Sequence, residues 1–182
     1  MKTICFITGN KNKFLEANKI ILNLSQLDLD LPEIQEINPK KVIEAKLFEA
    51  LKYKDTMFVV EDTSLYLDCL NGLPGPLIKW FSKTIGNIGL YNLAKKYNNF
   101  NAKAKTYVGY LKNKNEIHYF EGSVKGKIVY PKGENDFGWG PIFRPENSLK
   151  TFAELTKGEK NKISMRRIAF EKLNDFLNNK KK

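Results

Sequence analysis

Ile4-Cys5-Phe6-Ile7-Thr8-Gly9-Asn10-Lys11-Asn12-Lys13-Phe14 is an apolar run that breaks on a glycine turn and restarts as a charged, periodic segment. A short continuous apolar run reads as a buried strand, here residues 3–7, and Thr8 to Asn12 reads as a polar turn. Phe14, Ala17, Ile21 and Leu24 then recur at helical spacing, which predicts a helix from Lys13 to Leu24. Outward from this strand–turn–helix, a second helix starts near Pro39 with Asn38 as its cap and Ile43, Leu47, Ala50 and Leu51 on its apolar face. Met57-Phe58-Val59-Val60 predicts a second short strand that ends abruptly at Glu61-Asp62-Thr63. Asn71-Gly72-Leu73-Pro74-Gly75-Pro76 reads as a loop. Short helices are expected around Trp80 and Phe81 and from Asn87 to Tyr97. Thr106–Leu111, Ile117–Val124 and Lys127–Tyr130, separated by polar or Gly-containing turns, read as an antiparallel meander, followed by a Pro/Gly-rich loop over 131–148. A helix from Lys160 to Asn178, striped by Ile163, Phe170, Leu173 and Leu177, closes the chain. Strands alternating with helices, then a meander, predict an α/β protein with a mixed sheet.

The length, 182 residues, suits a single domain over 1–182 with a sizeable core. A 42% hydrophobic and 28% charged composition fits a globular protein rather than a disordered one. No apolar run approaches a membrane span, and the N-terminal apolar stretch is too short for a signal-peptide core. Cys5 and Cys69 make neither a disulfide framework nor a zinc motif, so the expected location is cytoplasmic. The only histidine, His118, argues against Ser-His-Asp chemistry. A formal charge of +11 invites a nucleic-acid reading, but residues 157–182 alone carry nine Lys/Arg against three Asp/Glu. That concentration near one end argues against a polynucleotide as the main partner, and positive potential serves small polyphosphates equally well.

Thr8-Gly9-Asn10 with Lys13 lies where a strand meets a helix start, a place suited to anions. It lacks the spacing of a Walker A loop. Strand alternation sends the side chains of Glu61 and Asp62 to opposite sides, so at least one projects into a site. Carboxylates at strand ends are common Mg²⁺ ligands, and Glu33 offers a second from a loop. Phe137-Gly138-Trp139-Gly140 places two aromatics on a glycine-rich loop, able to stack a nucleobase. In the last helical region Lys160 adds phosphate charge, and Arg166 offers a fork of donors to a keto oxygen.

In combination and order these pieces resemble one family, the inosine triphosphate pyrophosphatases. The matching stretches are Thr8-Gly9-Asn10 with Lys13, Glu61-Asp62-Thr63, Leu70–Pro76, Phe137-Gly138-Trp139 with Pro141-Ile142-Phe143, Thr151–Glu154, and Glu159-Lys160-Asn161 leading to Ser164 and Arg166. The resemblance implies an elongated, two-lobed α/β fold, a mixed β-sheet flanked by helices with a substrate cleft between lobes, and a homodimer. It implies Mg²⁺-dependent hydrolysis of non-standard purine nucleoside triphosphates (ITP, dITP, XTP) to monophosphate and pyrophosphate. By position, Glu33 and Asp62 would hold the metal, Asp62 would orient or deprotonate the attacking water, and Glu61 would assist it. Thr8, Gly9, Asn10, Lys13 and Lys160 would cradle the triphosphate, with Thr63 beside them, while Phe137 to Trp139 would wall the base. Ser164 and Arg166 would line its edge. Gly140 stands where the family usually has Asp, and Met165 where it has His, both on the base side. Those departures leave relaxed specificity toward GTP or dUTP, or a nucleotide-binding homologue with little turnover, as alternatives.

Overall fold

The computed structural model describes residues 3–135 and 138–179. Along the chain the elements are β1 (Ile4–Ile7), α1 (Lys11–Asn18), β2 (Leu24–Leu27), α2 (Pro39–Leu51), β3 (Met57–Leu67), β4 (Pro74–Gly75), α3 (Ile78–Thr84), α4 (Gly86–Lys96), β5 (Asn101–Asn113), β6 (Glu116–Ile128), β7 (Phe143–Pro145), α5 (Lys157–Ile163) and α6 (Met165–Asn179). The strands form one mixed sheet of order β2-β1-β3-β5-β6-β7, with β4 paired to β3. β1 runs parallel to both β2 and β3, with Ile4 opposite Leu24 and Met57. β4 is antiparallel to β3, and β7 to β6. Among the described residues no helix is long and apolar enough to cross a membrane.

The chain folds into two compact units. The first comprises residues up to Asp62, Thr106–Gly122 and the chain from Arg166 onward; the second comprises Thr63–Lys105 and Ser123–Met165. In the first unit every residue of β1 is buried, the signature of a strand covered on both faces. Alternation divides its core accordingly. Ile4, Phe6, Val59 and Val108 pack with Ala17, Ile21, Phe170 and Leu173, on the side of α1 and α6. Cys5, Ile7, Phe58, Val60 and Leu111 pack with Ile43, Leu47 and Ala50 of α2. Asn38 caps α2, with Pro39 at its first turn, as its sequence predicts. In the second unit Ala102 and Ala104 of β5 are buried against a cluster holding Leu90, Ala94, Phe143 and Phe152. The residues alternating with them, Asn101 and Lys103, are exposed, so this part of the sheet has one covered and one solvated face.

Several sequence expectations change, and the stretches expected as loops over 71–76 and 131–148 hold the short strands β4 and β7. The first helix stops at Asn18, because Leu24–Leu27 pairs with β1; Ile21 and Leu24 keep their burial from outside a helix. β3 does not end at Glu61 but runs to Leu67, since its two carboxylates are paired within the fold and Tyr66 pairs with Pro74 of β4. Of the expected strand at Lys127–Tyr130 only Lys127 and Ile128 lie in a strand, as the end of an unbroken β6. Gly126 is not a turn residue: a Cβ there would sit 2.4 Å from the Arg144 carbonyl oxygen, so it admits β7. The final helix is two helices, separated by a buried, extended Ser164 (ψ 143°).

Gly109 on β5 lets α2 approach, since a Cβ would lie 2.1 Å from Ile43 Cγ2 and 3.1 Å from Leu47 Cδ1. Gly109→Ala is expected to destabilise the protein by about 1–3 kcal/mol, the usual cost of overpacking. Gly158→Ala on α5, where no atom lies within 4 Å, should be neutral or slightly stabilising. Urea denaturation of the two variants checks this; a Gly109→Ala midpoint equal to wild type would refute the packing argument.

Candidate active site

In the first unit β3 delivers adjacent carboxylates to opposite sides of the sheet. Glu61 follows Val59 toward α1 and α6, and Asp62 follows Val60 toward α2. On the α1/α6 side, Lys13 Nζ lies 2.8 Å from Glu61 Oε1. Arg166 Nε and Nη2 donate to the two Glu61 oxygens at 2.8 and 3.1 Å, a bidentate fork, and Nη1 donates to Glu16 at 2.7 Å. Both Glu61 and Arg166 are buried. Burial alone would raise the Glu61 pKa, but the charges of Arg166 and Lys13 outweigh it and hold the carboxyl down to about 2. Burial likewise works against the Arg166 cation, and Glu61 and Glu16 more than offset it. The fork that the sequence reading gave to a keto oxygen is therefore held by Glu61, leaving only the remaining guanidinium N–H groups for a ligand.

On the α2 side, Lys46 Nζ lies 2.5 Å from Glu33 Oε1 and 3.9 Å from Asp62 Oδ1. One ammonium thus bridges the two carboxylates that the resemblance assigns to a metal. The donors are hard oxygens, suited to a hard cation. Among the described residues no group of three or more His, Cys, Asp or Glu is set to hold a metal. Two carboxylates, completed by phosphate and water oxygens, match the way Mg²⁺ is usually bound, so these residues fit that ion.

The turn after β1 is tightly tied. Asn10 caps α1, its Oδ1 accepting from the Asn12 and Lys13 amides at 2.9 and 3.2 Å, and Thr8 Oγ1 accepts from the Asn10 amide at 3.1 Å. Two first-turn N–H groups are thereby satisfied inside the turn. A Cβ on Gly9 would meet Asp28 Oδ1 at 2.8 Å, so glycine allows the turn to press against that carboxylate.

Thr63, Gly138, Trp139, Gly140, Lys160, Ser164 and Met165 belong to the second unit, whereas Thr8, Gly9, Asn10, Lys13, Glu33, Glu61, Asp62 and Arg166 belong to the first. Phe137 lies outside the described residues. Trp139 packs edge-on to Phe143 at 5.6 Å, and Lys160 Nζ sits 5.5 Å from the centre of the Phe152 ring. Asn87 Nδ2 donates to the Gly138 carbonyl at 2.9 Å. Gly140 is buried at the start of a short 3-10 turn. Met165 is buried in the apolar cluster with Phe143 and Phe152. Lys46 and Glu16 escaped the sequence reading. Lys46 had a signal: it sits beside Val42, Ile43 and Leu47 on the buried stripe of α2, where a lysine needs a partner. Glu16 had none beyond its place one turn after Lys13.

Removing the Glu61 charge strands Arg166 and Lys13, so Glu61→Gln should cost about 3–5 kcal/mol at pH 7. A folded pKa of about 2, against 4.5 for the free group, gives stabilisation that is fully present above pH 4.5 and lost as pH falls toward 2. The gap between wild type and Glu61→Gln, read by urea unfolding, should therefore narrow from pH 5 downward; a pH-independent gap would contradict this pairing.

Relatives share both the sequence and the fold. Residues 4–176 match the sequence model of the Ham1 family. An inosine triphosphate pyrophosphatase of Schizosaccharomyces pombe is 40% identical over 185 residues, covering 100% of this chain and 98% of that protein. One from Pyricularia oryzae is 42% identical over 176 residues, covering 94% and 92%. The Staphylococcus aureus Ham1 protein superposes with a TM-score of 0.85 at 26% identity, over 98% of this chain and 100% of that one. A nucleoside-triphosphatase/dITP/XTP pyrophosphatase from Mycobacterium abscessus gives a TM-score of 0.74 at 28% identity, over 94% and 98%. By sequence along nearly its whole length, and by fold, the chain belongs to the Ham1 family.

Proposed function

We propose that the chain is a nucleoside-triphosphate pyrophosphatase that hydrolyses non-standard purine nucleoside triphosphates, ITP, dITP and XTP, to the monophosphate and pyrophosphate. The observation that carries this reading is the Glu33–Lys46–Asp62 arrangement, two carboxylates sharing one cation, in a chain whose relatives are inosine triphosphate pyrophosphatases. Glu33 and Asp62 would hold Mg²⁺. Bound there, the ion would supply charge neutralisation on the phosphates and activation of water. Lys46, beside both carboxylates, would serve as a counter-charge for the triphosphate.

Asp62 orients the attacking water and accepts its proton. Glu61 is kept anionic by Arg166 and Lys13, which suits it to fixing the end of the site rather than to exchanging a proton. Phosphoryl chemistry of this kind depends mostly on positioning and charge, and a strand packed on both faces supplies the first. A homodimer acting in the cytoplasm is part of the same proposal and rests on family resemblance.

On the base side, one observation favours broader tolerance than the family pattern. Met165 is in an apolar cluster and Gly140 has no side chain, so neither offers a polar group to a purine. Leaving a buried polar group unpaired costs roughly 1–3 kcal/mol, or about 5- to 150-fold in selection. Loss of two polar readers therefore weakens the discrimination of hypoxanthine or xanthine from guanine.

With Mg²⁺ present, Asp62→Asn should lower pyrophosphate release from ITP by about 100-fold or more, the scale of a lost general base. Circular dichroism should remain native. Turnover near the wild-type rate would sink the assignment. Gly140→Asp combined with Met165→His should raise the ratio of kcat/KM for ITP over GTP across a panel of ITP, XTP, dITP, GTP, ATP and dUTP. An unchanged ratio would mean that these two positions do not govern selectivity.

A further inference from the structure

The solvated face of the second unit gathers cations that are far apart in sequence. Lys103 on β5, Lys125 and Lys127 on β6 and Arg144 on β7 line one recess of about 610 Å³. Lys127 and Arg144 are direct partners in the β6–β7 register. Like charges placed opposite one another across strands are destabilising, and neither residue forms an ion pair among the described residues. Asp68 and Glu146 also line the recess, and Asp68 approaches Lys103 at 3.9 Å. Two carboxylates therefore face four cations.

Lys127 and Arg144 also line a second recess of about 460 Å³, whose walls include Tyr91, Phe100 and Tyr130. Tyr130 is 59% exposed and stands edge-on to Tyr91 at 5.5 Å, so a large ring is held in place at the surface. Lys103, Lys125 and Lys127 are all exposed, which makes this an open track rather than an enclosed pocket for a small molecule. A positive track beside a held aromatic ring is how single strands are bound without sequence preference: cations follow the phosphates and a base stacks on the ring.

We propose that this face of the second unit binds single-stranded nucleic acid, with Lys103, Lys125, Lys127 and Arg144 on successive phosphates and a base stacked on Tyr130. Charge concentrated in the last 26 residues argues against a polynucleotide as the main partner, but the fold assembles a second concentration from β5, β6 and β7. The inference is independent of the pyrophosphatase reading.

The test is fluorescence anisotropy of a labelled oligothymidylate of about a dozen nucleotides, titrated with the full-length protein between 50 and 200 mM KCl. A single-strand phosphate contact contributes about 0.7 to the slope of log K against log salt. Lys127→Ala with Arg144→Ala should thus reduce the slope by about 1.4. Lys95→Ala with Lys96→Ala on α4, an equal loss of charge, should leave it nearly unchanged. Tyr130→Ala should weaken binding by about fivefold or more at constant slope. All variants should keep the wild-type circular dichroism spectrum and urea midpoint, which shows that the fold is intact. Equal weakening by the two lysine-containing pairs would mean diffuse charge and overturn the proposal. So would displacement of the probe by thymidine monophosphate as readily as by unlabelled oligonucleotide, since the recess would then hold single nucleotides.

Discussion

Everything chemical in the first unit depends on the two-residue repeat of one strand. Adjacent side chains on β3 must leave from opposite faces, so Glu61 and Asp62 enter two environments although one peptide bond joins them. Glu61 meets Lys13 and the Arg166 fork, where charge compensation is complete enough to keep a buried carboxylate ionised. Asp62 meets the Lys46 ammonium, which also pairs with Glu33. The first environment is a lock and the second is exchangeable, because one lysine bridging two carboxylates can be replaced by a more highly charged cation, whereas a bidentate guanidinium pair buried with its partners cannot be dissolved without stranding charge.

The second unit uses the same alternation differently. There one face of β5 carries alanines against α4, and the other carries lysines to solvent. Small side chains inside let a helix close down on the sheet, and the outward positions are left to long cations. Ring contacts among Trp139, Phe143 and Phe152 hold Trp139 in the apolar core, and Asn87 adds a hydrogen bond to the Gly138 carbonyl. The two units therefore differ: the first buries compensated charge beside its apolar cores, and the second carries an excess of cations on its outer face.

Much of this was legible before any coordinates. β1 and the cap of α2 follow from an uninterrupted apolar run and from Asn38-Pro39, because local rules act alone there. The opposite directions of Glu61 and Asp62 follow from strand geometry. What failed did so where tertiary pairing overrides local signals. Polar Glu61-Asp62 looks like a strand end until ion pairs satisfy it, and Gly126 looks like a turn until β7 needs its space. Ser164 splits the last helix although the apolar stripe runs across it, and no local breaker such as proline marks the place. The fork of Arg166 on Glu61 joins residues 105 positions apart, and no spacing rule reaches that far.

The division of labour along β3 also bears on how such a sequence can drift. Because the locked and exchangeable clusters share a strand but no side chain, a change in one need not be compensated in the other. Gly140 and Met165 belong to the other unit, where Met165 lies in an apolar cluster. A lineage can therefore remodel one cluster while inheriting the other intact, and selection on the two can proceed at different rates.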